Sequence, residues 1–229
     1  MVNTEVLSNT KGKRIIGTQF PPIAIYEDAA DFEDFEILYQ LQSRVNPRLK
    51  AETGNYALLN KSEIPFNIQG CSYAVAPFVH LSPSQPSRFS DNTAFGVLYV
   101  ANTIETAILE VTYHYAKTLA ETPDLKTERF IAQELLVTFS AKLADIRNNK
   151  NAHQSNDYDT SQTLALKLRA DKKDGLVYNS VRNPHNDCYA LFSPKLVKVI
   201  TTGSKFEFLY DNNQLTEVNK LTPFSLYTN

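Results

Sequence analysis

The sequence predicts an α+β fold, with compact mixed or antiparallel sheets and helices on their flanks. Of the 229 residues, 42% are hydrophobic, which is enough to bury the core of a sizeable domain. Helix-like and strand-like segments are interspersed along the chain without regular β-α-β alternation, which disfavours a doubly wound parallel sheet. Neither GxGxxG nor GxxxxGK[ST] occurs, so the common phosphate-binding loops of such sheets are absent from the sequence.

The first third of the chain predicts one clear helix. Residues 1 to about 18 are polar and are expected to be peripheral, and the proline pair in "PPIAIYED" indicates an extended segment. A helix capped by Asp28 or Asp31 and ended by Pro47 should follow. Its apolar side chains recur at three- and four-residue spacing: Phe32, Phe35, Leu38, Leu41 and Val45.

A loop-rich stretch separates this helix from the next predicted strand. Residues 46–73 contain prolines and glycines at intervals and are expected to form a loop. "YAVAPFVH" is short and apolar, and it fits a strand or a helical turn equally well. "LSPSQPSRFSDNTAF" indicates a polar loop, whereas "GVLYVA" predicts a buried strand.

The second half predicts alternating helices and strands. Asn102 and Glu105 have the spacing of a capping box, so a helix should begin there and continue through Tyr115. One long strand is expected from Glu134 to Ser140, and "SQTLALKLRADKKD" predicts a helix that ends near Gly175. Strands are then expected at "GLVYNSV", "CYALFSP" and "KLVKVITTG", with "KFEFLYDNN" closing the sheet.

Composition excludes several classes of function. The net charge of -2 and a pI near 6.1 give no electrostatic basis for binding nucleic acid or an anionic membrane. Cys71 and Cys188 lie far apart and outside any CxxC pair, so neither a metal site nor a disulfide framework is expected. The absence of disulfides favours the cytoplasm. The first residues lack the apolar core of a signal peptide, and no run is long enough to span a membrane.

The position of Glu110 on its helix has two interpretations. Ala107, Glu110 and His114 share one face, beside an apolar stripe, so the carboxylate should lie at or near the buried side. A buried carboxylate is costly unless it is paired. Glu110 is therefore either half of a structural ion pair with His114 or an arginine, or a catalytic group in a partly dry pocket.

The order of several short motifs resembles the RES-domain family. "SRFS" lies in a polar loop, "VLYVA" in a strand and "ETAILE" in a helix, and "VYNSVR" and "ALFSP" follow much later. This family, named for its Arg, Glu and Ser, consists mostly of bacterial toxins paired with Xre-type antitoxins. The similarity covers about Phe66 to Val199, supported upstream by "NPRL". A single domain is expected, with an extension at 1–65, a core at 66–200 and a C-terminal strand and tail at 201–229.

The resemblance implies a fold like that of ADP-ribosyltransferase toxins and NAD as the substrate. It also implies an Xre-type antitoxin as a protein partner, with no direct binding of nucleic acid or membrane and no metal. A homodimer is compatible with it, but no residue pattern specifies the oligomeric state. Four residues match the family's motif and are the expected catalytic residues: Arg88, Tyr99, Glu110 and Ser180.

The chemistry of NAD cleavage suits these residue types. Breaking the nicotinamide N-glycosidic bond develops positive charge on the ribose, which the Glu110 carboxylate would stabilise. Arg88 would hold phosphate oxygens with its forked guanidinium. Tyr99 would stack on nicotinamide or orient its neighbours, and Ser180 would hydrogen-bond a ribose hydroxyl or the nicotinamide side. Three neighbours of the motif are candidates to line the pocket: Phe89, Ser90 and Arg182.

Several points stay open at the level of sequence. The acceptor of the ADP-ribosyl group is phosphate, water or a protein, so the activity is that of an NAD phosphorylase, a glycohydrolase or an ADP-ribosyltransferase. A module that binds a nucleotide without turning it over is the alternative outside enzymes. His114 either orients Glu110 or is a core histidine, the interpretation that the sequence favours slightly. Asn186, Asp187 and Cys188 depart from the family's pattern, which leaves the contacts of their loop undefined.

Overall fold

A computed structural model describes residues 2–18, 24–154 and 158–223. Within these ranges the strands form one seven-stranded sheet with helices packed against it, which confirms the α+β prediction. The strands are β1 (Thr4–Gly17), β2 (Leu98–Ala101), β3 (Thr127–Asp145), β4 (Gly175–Asn179), β5 (Asp187–Leu191), β6 (Val197–Asp211) and β7 (Gln214–Leu221). The helices are α1 (Ile25–Asp28), α2 (Phe32–Gln42), α3 (Leu49–Thr53), α4 (Cys71–Val79), α5 (Ile104–Ala120) and α6 (Asp159–Ala170).

The sheet closes on itself at the N-terminal strand. Its order is β1-β2-β5-β4-β3-β6-β7, and β1 also pairs with β3. The pairs are antiparallel except for β3 with β4. The expectation that residues 1–18 are peripheral is therefore wrong. β1 is held through backbone pairing with β3, from Thr4 opposite Ala144 to Gly17 opposite Ala132, and few of its side chains are buried, so no apolar alternation marks it.

Gly12 lets β1 approach β2. A β-carbon built on Gly12 would lie 2.3 Å from Val100 Cγ1 and 3.0 Å from the carbonyl oxygen of Ala101. The two strands pair at Lys13 and Ala101. Any larger residue at position 12 would force these strands apart, so the glycine fixes where β1 meets the rest of the sheet.

The long strands extend further than the sequence predicts. β3 contains the expected segment from Glu134 to Ser140 but runs to 19 residues. β6 joins the two segments that were predicted as separate strands and continues through Gly203. The expectation that "KFEFLYDNN" closes the sheet is wrong, because β7 pairs with β6 beyond it.

Helix α2 confirms the predicted helix but not all of its boundaries. The Asp31 carboxylate caps it by accepting hydrogen bonds from the backbone N–H groups of Glu33 and Asp34, each 2.9 Å long. Phe35 is fully buried, whereas Leu41 and Val45 are 56% and 83% exposed. The helix ends at Gln42, before Pro47, so the last turn of the predicted apolar stripe does not form.

The loop-rich stretch contains more helix than expected. "YAVAPFVH" lies in α4, where Pro77 is tolerated within the last turn, so the helical alternative is the right one for this segment. Residues 46–73, expected to be a loop, include α3 and two short turns of 3₁₀ helix. The beginning of "PPIAIYED", residues 21–23, lies outside the described residues, and the rest forms α1 instead of an extended segment.

Strand alternation divides the core between the two faces of the sheet. Leu98 and Val100 of β2 pack with the N-terminal helices, in a cluster that includes Phe35 and Val75. Tyr99 and Ala101 point to the opposite face, where α5 and α6 lie. Tyr99 is thereby placed on the same side of the sheet as the helix that carries Glu110.

Helix α5 begins one residue later than the sequence predicts. The Thr103 side chain, not that of Asn102, caps it by accepting a hydrogen bond of 3.2 Å from the backbone N–H of Thr106. The cap gives the helix a defined start next to β2. Glu110 follows in the second turn and is partly buried.

Candidate active site

A cavity of about 410 Å³ opens between β1, β2, helix α5 and the polar loop that precedes β2. Four of the sequence-predicted residues line it: Arg88, Tyr99, Glu110 and Arg182. Ser180 joins them through a hydrogen bond to Glu110. Phe89 and Ser90 line a separate pocket of about 330 Å³, on the other side of their loop, and both are buried.

Glu110 and Ser180 form a direct pair. The Ser180 hydroxyl donates a hydrogen bond of 2.6 Å to Glu110 Oε1. The same hydroxyl oxygen accepts from the backbone N–H groups of Arg182, at 3.2 Å, and Asn183, at 2.8 Å. Its single proton is thus directed at the carboxylate, and its oxygen is already in use. The Ser180 hydroxyl thus contacts Glu110. Its expected hydrogen bond to a ribose hydroxyl or the nicotinamide side stays a prediction.

The loop that carries Ser180 is tied to helix α5 by Asn183. The Asn183 side-chain N–H donates a hydrogen bond of 2.9 Å to Thr106 Oγ1, one turn before Glu110. The Asn183 backbone binds Ser180, so one residue connects both halves of the Glu110–Ser180 pair. Sequence reasoning missed Asn183, although its place three residues after Ser180 in "NSVRN" was available as a signal.

Tyr99 holds the loop around Arg88. Its hydroxyl donates to Ser87 Oγ and accepts from the backbone N–H of Phe89, each at 2.9 Å. These two residues flank Arg88 in the sequence. Burial raises the pKa of Tyr99 to about 12, so the phenol stays protonated at neutral pH. The sequence left two roles open for Tyr99, and the orientation of its neighbours is the one that these contacts support.

Arg88 is a buried arginine with one anchored nitrogen. Its Nη1 donates to the carbonyl oxygens of Gln154, at 2.6 Å, and Ala152, at 3.4 Å. The guanidinium carbon lies 5.0 Å from the centre of the Tyr158 ring. Only 8% of the residue is exposed. Because Nη1 is anchored, the protein and not the solvent fixes the direction of the remaining guanidinium N–H groups.

Aromatic and cationic side chains form the mouth of the cavity. The Arg182 guanidinium carbon lies 3.6 Å from the centre of the Tyr113 ring. His114 is exposed, so the core-histidine interpretation is wrong. Desolvation on the cavity side lowers the pKa of His114, and the nearby Glu110 carboxylate partly opposes this shift. His114 is therefore a neutral rim residue at pH 7.

Asn186, Asp187 and Cys188, which depart from the family's pattern, lie next to the loop that carries Ser180. The carbonyl of Asn186 accepts a 2.8 Å hydrogen bond from the backbone N–H of Ser180. Asp187 accepts from Arg147 Nη1 at 3.1 Å. Cys188 lines the cavity, and desolvation, with a further contribution from Glu110, raises the pKa of its thiol to about 12. Asn186 and Asp187 thereby hold the hairpin formed by β4 and β5 in place.

Arg14 of β1 also lines the cavity. Its Nη1 donates a hydrogen bond of 3.0 Å to the carbonyl oxygen of Tyr99. The sequence gave no signal for it, because the N-terminal residues show no apolar alternation and were expected to be peripheral.

No group of three or more His, Cys, Asp or Glu side chains within residues 2–18, 24–154 and 158–223 is arranged to hold a metal ion. No helix in the same ranges is long and apolar enough to cross a membrane.

Comparison with known protein families identifies the family of this chain. The RES domain matches residues 64–211, and the chain belongs to the RES-domain family. The resemblance read from the motifs is thereby confirmed. The match begins after β1 and α1–α3 and ends with β6, so the N-terminal strand lies outside it. The domain boundaries expected from the sequence stay a prediction.

Two relatives illustrate how far the similarity extends. The chain is 32% identical over 89 residues to the uncharacterized protein y4oC of Sinorhizobium fredii (strain NBRC 101917 / NGR234), a match to 39% of this chain and 37% of that protein. The chain thus spans well under half of the length of this relative. A chain in the crystal structure of the M. tuberculosis MbcT-MbcA toxin-antitoxin complex is 10% identical, with a TM-score of 0.37, over 59% of this chain and 72% of that one.

Proposed function

We propose that this protein is a toxin that binds NAD in the 410 Å³ cavity and cleaves its nicotinamide N-glycosidic bond, as an NAD phosphorylase or glycohydrolase. We further propose that an Xre-type antitoxin neutralises it. The observation that carries the proposal is the Glu110 carboxylate, oriented by Ser180 in a cavity whose other charged groups are mainly cationic. Membership of the RES-domain family supports the same substrate.

The cleavage step requires one carboxylate close to the ribose. As the bond between the ribose carbon and the nicotinamide nitrogen breaks, its electron pair moves to the ring nitrogen and neutralises the pyridinium. Positive charge then develops on the ribose. Glu110 would oppose that charge through Oε2, which has no hydrogen-bond partner within the described residues, while Ser180 fixes Oε1. The acceptor oxygen forms the new bond to the ribose carbon and, if it is water, loses a proton.

The cationic wall of the cavity suits an anionic dinucleotide. Arg88 is anchored by backbone carbonyls through Nη1, which leaves the other side of its fork for a phosphate oxygen. Arg182 and Lys117 lie at the same cavity. Tyr99 would hold the Arg88 loop in the binding geometry. Phe89 and Ser90 would support that loop from behind, because they face the second pocket.

Incubation of the purified protein with NAD tests the proposal. The free nicotinamide and the remaining NAD are measured in phosphate buffer and in phosphate-free buffer. Loss of NAD only in phosphate indicates a phosphorylase, and loss in both buffers indicates a glycohydrolase. NAD that survives until a protein substrate is added indicates a protein ADP-ribosyltransferase. NAD that raises the melting temperature but is never consumed indicates a non-catalytic binding module and would overturn the proposal.

The toxin role needs a separate measurement in cells. Expression of the protein in a bacterium should stop growth and lower the cellular NAD concentration together. Growth arrest at constant NAD would instead favour modification of a specific protein. Unimpaired growth with active enzyme would contradict the toxin role while leaving the NAD chemistry in place.

A further inference from the structure

The N-terminal strand brings a second arginine to the cavity, from outside the family's matched region. Arg14 lies in β1, and the RES domain matches residues 64–211. Arg14 lines the cavity and donates from Nη1 to the Tyr99 carbonyl at 3.0 Å. Because β1 pairs with β3 along nearly its full length, the base of this side chain is fixed by the sheet.

The charge of Arg14 has no acidic partner within the described residues. The ion pairs found in residues 2–18, 24–154 and 158–223 involve other cations, and the neighbouring Lys13 is already neutralised by Glu134 at 3.1 Å. The Arg14 side chain has no hydrogen-bond acceptor there other than the Tyr99 carbonyl. Desolvation lowers the pKa of Arg14. A partly buried guanidinium without a counter-ion is less favourable than a paired one, so this part of the cavity suits an anion.

Tyr99 connects the two arginines of the cavity. Its carbonyl oxygen accepts from Arg14, and its hydroxyl contacts the residues on both sides of Arg88. One tyrosine, clamped in β2, therefore sets the positions of two guanidinium groups at once. A ligand with two adjacent negative charges would match this pair, and each planar fork can hold phosphate oxygens in a bidentate manner.

We infer that Arg14 binds a phosphate of a nucleoside diphosphate group, with Arg88 on the other phosphate, so that the N-terminal strand completes the substrate site. The inference rests on the proposed function for the identity of the nucleotide as part of NAD. The anion site itself follows from the cavity and its unpaired cation. The competing interpretation is that Arg14 only ties β1 to β2 through the Tyr99 carbonyl.

The test compares Arg14→Gln with Arg129→Gln. Glutamine keeps an N–H donor for the Tyr99 carbonyl but removes the charge. Arg129 is an exposed arginine on β3, 68% exposed at its side chain and paired with Glu207, so the same substitution there controls for loss of charge alone. Calorimetry measures the affinity of each folded variant for ADP and for adenosine, and a discontinuous assay measures the KM and kcat for NAD.

The inference predicts that Arg14→Gln weakens ADP binding by about tenfold to a hundredfold, the equivalent of one charge-assisted hydrogen bond. Adenosine binding should be unchanged, the KM for NAD should rise, and Arg129→Gln should behave like the wild type. If Arg14→Gln lowers the melting temperature but binds ADP as tightly as the wild type, Arg14 is a structural tie and the inference is overturned.

The two proposals fail in different ways. If the wild type consumes NAD and Arg14→Gln has an unchanged KM and ADP affinity, the inference is wrong and the proposed function stands. If the wild type does not consume NAD, and Arg14→Gln binds ADP more weakly than the wild type does, the diphosphate site is supported and the proposed function is wrong. If the wild type binds neither NAD nor ADP, both proposals are overturned.

Discussion

The hydroxyl of Ser180 lies 2.6 Å from Glu110 Oε1, although 70 residues separate the two in the chain. Helix α5 supplies the carboxylate and the turn after β4 supplies the serine. Two backbone N–H groups hold the serine oxygen, so its proton points at Glu110. This pair accounts for the partly buried carboxylate: Ser180 holds Glu110 Oε1, and Oε2 has no hydrogen-bond partner within the described residues.

Ser180→Ala should reduce turnover more than it reduces NAD binding. The substitution removes the donor to Glu110 Oε1 and leaves the N–H groups of Arg182 and Asn183 without their acceptor. A hydrogen bond to a charged group is worth about 1.5–3 kcal/mol, which corresponds to roughly a tenfold to hundredfold loss of kcat. Steady-state kinetics on NAD measures the loss. Ser193→Ala is the matched control, because the buried Ser193 hydroxyl has no partner within the described residues. Equal kcat values for the two variants would contradict the role of Ser180.

Arg88→Ala should weaken NAD binding. The variant removes a buried guanidinium that is held by the carbonyls of Ala152 and Gln154 and that, in the proposed function, binds a phosphate. The expected cost is about 1.5–3 kcal/mol of binding free energy. Calorimetry gives the affinity, and a melting curve shows separately how much the anchoring to the loop contributes to stability. An affinity for NAD equal to that of the wild type would remove Arg88 from the binding site.

The Cys188 thiol should be unreactive although it lines the cavity. Desolvation raises the pKa of this thiol, and of the buried Cys71, to about 12. The thiolate is the reactive form, so its fraction at pH 8 is about one part in ten thousand. Iodoacetamide at pH 8 should therefore leave the native protein unmodified, and Cys188→Ala should keep the turnover within about twofold. Rapid alkylation that abolishes NAD consumption would indicate that Cys188 takes part in the reaction.

An ion cluster at the base of the site should make the protein sensitive to acid. Arg147 binds Asp145 at 2.8 Å, Glu5 at 2.6 Å and Asp187 at 3.1 Å. The hydrogen bond from Arg147 lowers the pKa of Asp145 below 3.8. Because the pKa is lower in the folded state, this contribution is present above about pH 4 and is lost as the pH falls through the folded-state pKa.

Urea unfolding between pH 2 and pH 7 checks this dependence. The partly exposed pair should contribute about 1 kcal/mol to the free energy of unfolding at pH 7, and less as the pH falls. Asp145→Asn should be less stable at pH 7 and should have a flatter pH profile than the wild type. Parallel pH profiles for the two proteins would show that Asp145 does not respond to Arg147 in this way.

The local spacing of apolar residues and short motifs predicted the helices and strands that bury only one face. Phe35 marked α2, the apolar run around Tyr99 marked β2, and the motif around Glu110 marked α5. The site residues in these elements were predictable because each carries a chemical type with a known use. The contact between these residues was not predictable, because the distance from Ser180 to Glu110 depends on how the β4–β5 hairpin packs against α5.

The features that the sequence did not predict depend on pairing between distant strands. β1 is stabilised by backbone hydrogen bonds to β3, which leave no signature in its side chains, and Arg14 was missed with it. Thr103 replaces Asn102 as the cap because the helix begins one residue later, within the usual uncertainty of a helix end. The position of Asn183 three residues after Ser180 made it a candidate, but its contact with Thr106, 77 residues away, depends on tertiary structure.

The role of the Glu110 carboxylate is the central claim, and Glu110→Gln tests it most directly. Glutamine keeps the shape and one acceptor oxygen for Ser180, so it separates the charge from the packing. If the carboxylate opposes charge that develops only in the transition state, NAD binding should change little, and kcat should fall by about a hundredfold to a thousandfold. Calorimetry and NAD consumption on the same preparation give both quantities. We predict a folded, NAD-binding and nearly inactive protein that no longer arrests growth, whereas consumption of NAD at the wild-type rate would contradict the mechanism.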